Sequence, residues 1–526
     1  MKTLKRGYPV VYLVLAAAVL YLAFLTTIAH HGVFYSADGG VKFITVKQVS
    51  EGYGYKYLRL VQPRWVQSIW QAGFFPLRPP FVYPSSGGYV SVFPPAFQVA
   101  SAWLYSWMGY RGLYVLPILS MLLIWVFTVL LLRRLGISPA RIALALFIMT
   151  FCSPLTIYGA MFWEHGPATL LLLAGLFVIV RPPARPGAAL ALGLASGMAI
   201  WLRPEAIMLD FLYGLAVLVL YRRERRAIYL AFAAGVLAAL TAFLVFNQFE
   251  YGNIMGLHGQ QLVDPNDADD HLGFRKSLYV LLMTNYKQFR HFGFTLLLFP
   301  ILYRLFRMRK QRAASGEQGQ SPPDDPRPAL LGTIVVVFSL VTPFFLPNDG
   351  GRQWGVRYFL PLIPIVIVFL FLIDQQWGIL AGRYRIAGWG IAGVLLIAAY
   401  SFFHNTISGG AKNLEWAYRG RVLPTMERFE KNDGSVIVVS DPYMVYELGW
   451  LFDRDYFFLA TGDANLRRLL PMLKANGVRE YTYIFNPRNP ASQPESLRDS
   501  ATQGLWPLAA ERKIIEEFYC TKYRIE

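Results

Sequence analysis

Apolar stretches of membrane-spanning length recur along these 526 residues, joined alternately by short basic segments and by longer or less basic ones. We read about eleven of them, at 9–29, 113–132, 139–157, 163–180, 187–202, 205–221, 227–246, 291–306, 329–346, 358–373 and 387–403. Each approaches the roughly 20 residues that cross about 30 Å of hydrocarbon as helix. Only 16% of the residues are charged and 55% are hydrophobic, whereas soluble domains carry about a quarter charged residues. The expected fold class is therefore mainly α, a polytopic transmembrane helical bundle. Val10–Ile28 exceeds a signal-peptide core and no small-residue cleavage site follows it, so it reads as a retained helix.

The net charge of +18 invites a nucleic-acid reading, which its distribution opposes. Basic residues gather at alternate ends of the apolar runs: Lys2, Lys5 and Arg6; Arg133, Arg134 and Arg141; Arg181 and Arg185; Arg222 to Arg226; Arg304 to Arg312; Arg383 and Arg385. Such clusters mark the cytoplasmic side, and one topology accommodates all of them. It gives a multi-pass protein of the plasma (inner) membrane with its N-terminus cytoplasmic and its C-terminal segment extracytoplasmic. Membrane lipids are partners, and nucleic acid is not.

The outer connections are the long ones. Residues 31–112 contain aromatic and proline-rich stretches, and Phe93–Trp107 reads as an interfacial or re-entrant helix. Residues 247–290 read as a second outer loop, with an acidic run at Asp264–His271. On the inner side, Glu317–Pro328 reads as a polar linker. The domains expected are a membrane module, 1–403, and a small soluble α/β domain, 404–526. Ser435–Ser440, Tyr456–Leu459 and Tyr481–Phe485 read as strands and Ala464–Ala475 as a helix between them, a pattern suggesting a parallel sheet. This domain has no phosphate-cradling glycine pattern, nucleophile elbow or metal-ligand spacing, so it reads as supporting the chemistry or docking an acceptor. Cys152 and Cys520 do not make a disulfide framework.

Charged side chains close to hydrocarbon are costly and need a reason. Asp38 follows the first span in Tyr35-Ser36-Ala37-Asp38-Gly39-Gly40, where it reads either as a helix-capping residue or as a reactive carboxylate, with Lys42 four residues on. Glu164 and His165 open a later span, and Arg203 and Glu205 flank Pro204. Asn247, Glu250 and Tyr251 follow another span, while Arg352, Trp354, Arg357 and Tyr358 precede a further one. All fall on the outer side in this topology. The inventory suits transfer from a phosphate-linked donor. Lys42, Arg203, Arg352 and Arg357 are candidates for holding phosphate oxygens, and Asp38 and Glu164 for acid–base chemistry. Tyr35, His165, Glu205, Asn247, Tyr251, Trp354 and Tyr358 are candidates for contacting substrate. Local ion pairing at helix ends remains the alternative for Arg203–Glu205 and Arg352, and helix-dipole stabilisation for Glu164.

In the order and shared side of these motifs, the chain resembles the GT-C superfamily of integral-membrane glycosyltransferases, which includes protein O-mannosyltransferases and aminoarabinose transferases. The motifs are Tyr35–Gly40, Val92-Phe93-Pro94-Pro95, Leu202-Arg203-Pro204-Glu205, Phe246–Asn253 and Gly350–Pro361. The resemblance covers about residues 1–403. It implies a polyprenyl-phosphate-linked sugar donor, a lipid, glycan or protein acceptor, inversion at the anomeric carbon, and Asp38 in the place of the catalytic base. It also implies a phosphate-binding role for Arg203, Arg352 or Arg357. Many members carry two acids close together in the first loop, whereas here Asp38 is followed by Gly39 and Gly40. A lone carboxylate is a poor divalent site, so no obligatory metal cofactor is expected.

Two other classes stay open. A transporter or flippase also combines many spans with a charged cavity, but its internal repeats are absent here. A non-catalytic accessory subunit would use the C-terminal domain and have no need of Asp38, Arg203 and Arg357.

Overall fold

The computed structural model describes residues 8–58, 62–221, 225–257, 270–315, 325–346, 352–380, 388–429, 434–488, 505–507, 512–514 and 518–525. The acidic run Asp264–His271 and the segment 347–351 lie outside the residues whose side chains are described, as does most of the 317–328 linker. The chain divides into two compact units, one of residues 1–26 and 114–412, the other of residues 27–113 and 413–526.

The first unit is a helical bundle, and the apolar stretches assigned to it are helical over most of their length. Its helices are Tyr8–Ile28, Val115–Arg134, Pro139–Phe151, His165–Val180, Pro186–Gly197, Ala206–Tyr221, Arg226–Tyr251, Asp270–His291, Leu298–Ser315, Arg327–Val341, Leu362–Trp377 and Gly388–Phe402. Five helical segments among the described residues are long and apolar enough to cross a membrane, and shorter apolar helices complete the set. Several of the shorter ones are continued by a tighter turn, such as Met198–Trp201. Leu362–Trp377 is apolar on nearly every face, and from Leu362 to Phe369 its side chains are fully buried, which makes it a core helix of the bundle. Elsewhere large apolar side chains such as Leu13, Leu20, Phe211 and Leu396 are more than half exposed, as expected of surfaces facing hydrocarbon.

Without a hydrophobic drive between helices in lipid, close backbone packing takes over. The helices Pro186–Gly197 and Arg226–Tyr251 show this at Gly193, where an added Cβ would strike the Phe232 carbonyl. Among its described residues, the expected outer loop at 247–290 is largely helical instead. One helix runs on to Tyr251, where Gly252 stops it at φ +68°, and a second spans Asp270–His291. The run 291–306 is accordingly broken, because the first helix ends at His291 and the next starts at Leu298.

In the second unit, residues 27–113 contribute helices Ala37–Ser50 and Ala96–Met108 and an antiparallel hairpin of β1 (Val82–Ser85) and β2 (Gly88–Ser91). The C-terminal part holds β3 (Val436–Val439), β4 (Tyr456–Leu459), β5 (Glu480–Phe485), β6 (Leu505–Pro507), β7 (Arg512–Lys513) and β8 (Tyr519–Ile525). The sheet order is β4-β3-β5-β8-β6, with β7 also paired to β8. β3 is parallel to both β4 and β5, as the strand–helix alternation suggests, and all four of its residues are buried. The sheet then turns antiparallel from β5 to β8. Helix Asp463–Ala475 joins β4 to β5 and buries Leu466, Leu469, Leu470 and Leu473 on one face.

Helix Ala37–Ser50 packs on the segment 446–449. A Cβ on Gly40 would strike the Tyr446 carbonyl, and one on Gly449 would crowd the Gly40 backbone, so this contact requires glycine. Nearby, Arg421 donates to both carboxylate oxygens of Glu447, at 2.6 and 2.9 Å, and to the Tyr35 carbonyl at 3.1 Å. Tyr443 donates to the same carboxylate at 2.5 Å. Burial works against charge on Arg421, but Glu447 and Tyr443 outweigh it and hold its pKa above the ordinary value. Both charged side chains are almost inaccessible, so removing one strands the other. Arg421→Met should lower stability by about 3–5 kcal/mol, read as a fall in the melting temperature of the detergent-solubilised protein. An unchanged melting temperature would contradict this.

Candidate functional site

Three breaks in the bundle's helices supply its polar cluster. In Trp163-Glu164-His165-Gly166-Pro167, Glu164 sits at the N-cap of helix His165–Val180; Pro167 is tolerated in that first turn because the N–H it lacks would have no intrahelical partner. Pro204 separates the turn Met198–Trp201 from helix Ala206–Tyr221, placing Arg203 and Glu205 on either side of the break. Arg357 and Tyr358 lie in the tight turn Arg357–Phe359 that leads into helix Leu362–Trp377.

Arg203 is the hub. Its Nη1 donates to Glu164 Oε1 at 2.9 Å and its Nε to Glu205 Oε1 at 2.6 Å, while the guanidinium carbon lies 5.3 Å from the Tyr358 ring centre. Arg203 and Glu164 are 7% and 2% exposed, so each carboxylate compensates a charge with little access to water. The Arg357 guanidinium lies 5.2 Å from the ring centres of both Trp163 and Tyr358, and its backbone N–H donates to Gln353 at 3.2 Å. His165 is buried beside Trp163, with ring centres 5.3 Å apart. A cavity of about 20 Å³ is lined by His165, Arg203, Glu205, Arg357 and Tyr358, space for about one water.

The structure thus brings together Glu164, His165, Arg203, Glu205, Arg357 and Tyr358. Arg352 precedes Arg357 by a few residues and is partly buried. Trp354 stands in a separate cluster, where its indole N–H donates to Asn405 Oδ1 at 3.0 Å and its ring stacks 4.9 Å from His404, itself 3.2 Å from His291. Asn247 is buried beside Gly256, and Tyr251 packs edge-on to Phe246, 6.2 Å between centres.

The remaining candidates belong to the second unit. Asp38 lies in the first turn of helix Ala37–Ser50, where Ser36 rather than Asp38 is the N-cap. That position favours an anion through the helix dipole. Lys42 follows one turn later on the same face; it is 1% exposed, with Nζ 4.5 Å from the Phe93 ring centre. The Tyr35 hydroxyl donates to Asn413 Oδ1 at 2.5 Å, so Tyr35 braces the unit through its hydroxyl and, toward Arg421, its carbonyl.

Sequence reasoning passed over three buried polar groups. Asp210, hydrogen-bonded to Ser196, interrupts an apolar run and carried a signal in that isolated charge. The His291–His404 pair and the Arg421–Glu447 pair each unite residues distant in sequence that look unremarkable singly. Among the described residues, no three His, Cys, Asp or Glu side chains are grouped to hold a metal ion.

If Arg203 is shared as this geometry requires, Glu164→Gln and Glu205→Gln will not act independently. A double-mutant cycle on unfolding should give a coupling of about 0.5–3 kcal/mol, and strict additivity would remove the hub.

No protein-family description matches the chain, and no curated protein matches it in sequence. Solved structures do. The chain superposes on the crystal structure of ArnT from Cupriavidus metallidurans bound to undecaprenyl phosphate with a TM-score of 0.55 and 14% identity, covering 97% of each chain. The apo state of the same protein gives 0.54 and 14%, again over 97% of each. The chain therefore has the ArnT-type membrane fold along nearly its whole length.

Proposed function

We propose that this protein is a GT-C-type membrane glycosyltransferase that moves a sugar from a polyprenyl-phosphate donor to an acceptor hydroxyl on the outer face of the membrane. The observation carrying this reading is the near full-length likeness to ArnT, which binds undecaprenyl phosphate in one of the matched structures. A transporter reading has no comparable support.

Asp38 is the general base in this proposal. It removes the acceptor hydroxyl proton as that oxygen attacks the anomeric carbon, the bond to the phosphate oxygen breaks, and configuration inverts. Polyprenyl phosphate departs with the electron pair. Arg352, Arg357 and Lys42 are the proposed partners of its growing negative charge. Arg203 has two carboxylates on its fork, so its proposed part is to hold Glu164, Glu205 and the Tyr358 turn in place. Glu164 then positions Arg203, and its proposed role is not that of a second base.

The purified protein tests these roles separately. Asp38→Asn should keep its affinity for undecaprenyl phosphate yet lose transfer by roughly 100-fold or more, and unchanged turnover would overturn the base assignment. Arg357→Ala should weaken undecaprenyl phosphate binding about tenfold or more, because a charge-assisted contact to phosphate is lost. Undiminished affinity would exclude Arg357 from phosphate binding.

A further inference from the structure

Within the helical bundle, the helices Val115–Arg134, His165–Val180 and Pro186–Gly197 line an open groove of about 1110 Å³, slightly above the usual range of ligand-site volumes. Its walls include Phe127, Leu171, Phe177 and Leu192, and its lining has three arginines, Arg134, Arg181 and Arg225, with no acidic side chain among the described lining residues. All three arginines are exposed. Two make contacts there: the Arg134 guanidinium lies 5.5 Å from the Phe177 ring centre, and Arg181 donates to the Arg134 carbonyl at 3.4 Å. A second large cavity, of about 650 Å³, is charged differently, since Arg304 and Arg307 share its lining with Asp374.

We propose that the three-arginine cavity binds an anionic glycerophospholipid of the surrounding bilayer, acyl chains against its apolar walls and phosphate on Arg134, Arg181 and Arg225. Arginine forks match phosphate oxygens, and basic groups at a membrane surface favour anionic lipid. Three such contacts support a preference over a zwitterionic lipid on the order of a hundredfold. The site is remote from the polar cluster. Arg181 follows the last residue of a 16-residue helix whose N-cap is Glu164, and at 1.5 Å per residue this separates the two ends by about 24 Å. A carrier lipid presenting its phosphate near Glu164 and Arg203 would therefore not present it to Arg181.

The test is titration of the delipidated, detergent-solubilised protein with phosphatidylglycerol and with phosphatidylcholine, read by native mass spectrometry. Phosphatidylglycerol should bind at least roughly tenfold more tightly, and equal affinities would overturn the proposal. Combined Arg134→Gln, Arg181→Gln and Arg225→Gln should abolish the preference; if it persists, the arginines do not create it. Ala191→Trp keeps the arginines but fills an apolar wall of the cavity, and should remove the tightly held lipid. Undiminished binding in that variant would place the lipid on open surface and overturn the groove assignment. Displacement of bound phosphatidylglycerol by an equal or lower concentration of undecaprenyl phosphate would assign the cavity to a carrier lipid instead.

Discussion

A guanidinium held between two carboxylates organises the polar heart of the bundle. Arg203 joins the start of helix His165–Val180, through Glu164, to the start of helix Ala206–Tyr221, through Glu205, and it faces Tyr358 in the turn before the core helix Leu362–Trp377. Each group alone would be expensive so close to hydrocarbon; together they satisfy one another. The arrangement leaves a cavity of only about 20 Å³. Trp163 and Tyr358 present ring faces to Arg357, where the π electrons favour a cation.

The second unit uses the same device in a different setting. Arg421 binds Glu447 through two hydrogen bonds and also holds the Tyr35 carbonyl, three residues before Asp38. Gly40 then admits the Tyr446 carbonyl where any side chain would collide. The proposed catalytic helix is thus pinned at its entry by an ion pair and along its flank by backbone contact. Rigid support of this kind is what a base needs in order to meet its substrate in one orientation.

Much of the helical architecture was legible because it rests on local rules. Run length gave the helices, as with Val10–Ile28 against the observed Tyr8–Ile28, and strand–helix alternation gave the parallel trio of β4, β3 and β5. The helix Asp270–His291 was missed because its polar and charged residues, read in a line, resemble a loop; its mean hydropathy gives no membrane signal. The antiparallel addition of β8 beside β5 pairs residues about 40 positions apart, and no local pattern names such a partner. Of the candidate site residues, Glu164, His165, Arg203, Glu205, Arg357 and Tyr358 proved to be neighbours. Their pairings were not readable, since Glu164 and Arg203 lie 39 residues apart.

By itself the sequence determined a multi-span helical protein with costly polar residues at its helix breaks, because hydrocarbon thickness and desolvation act on every short segment alike. Tertiary structure alone decided which of those residues neutralise one another. It placed two carboxylates on Arg203 and aromatic faces on Arg357, and it gathered residues 27–113 and 413–526 into one compact unit. Such choices depend on contacts between distant segments, whose geometry exists only once the helices have packed.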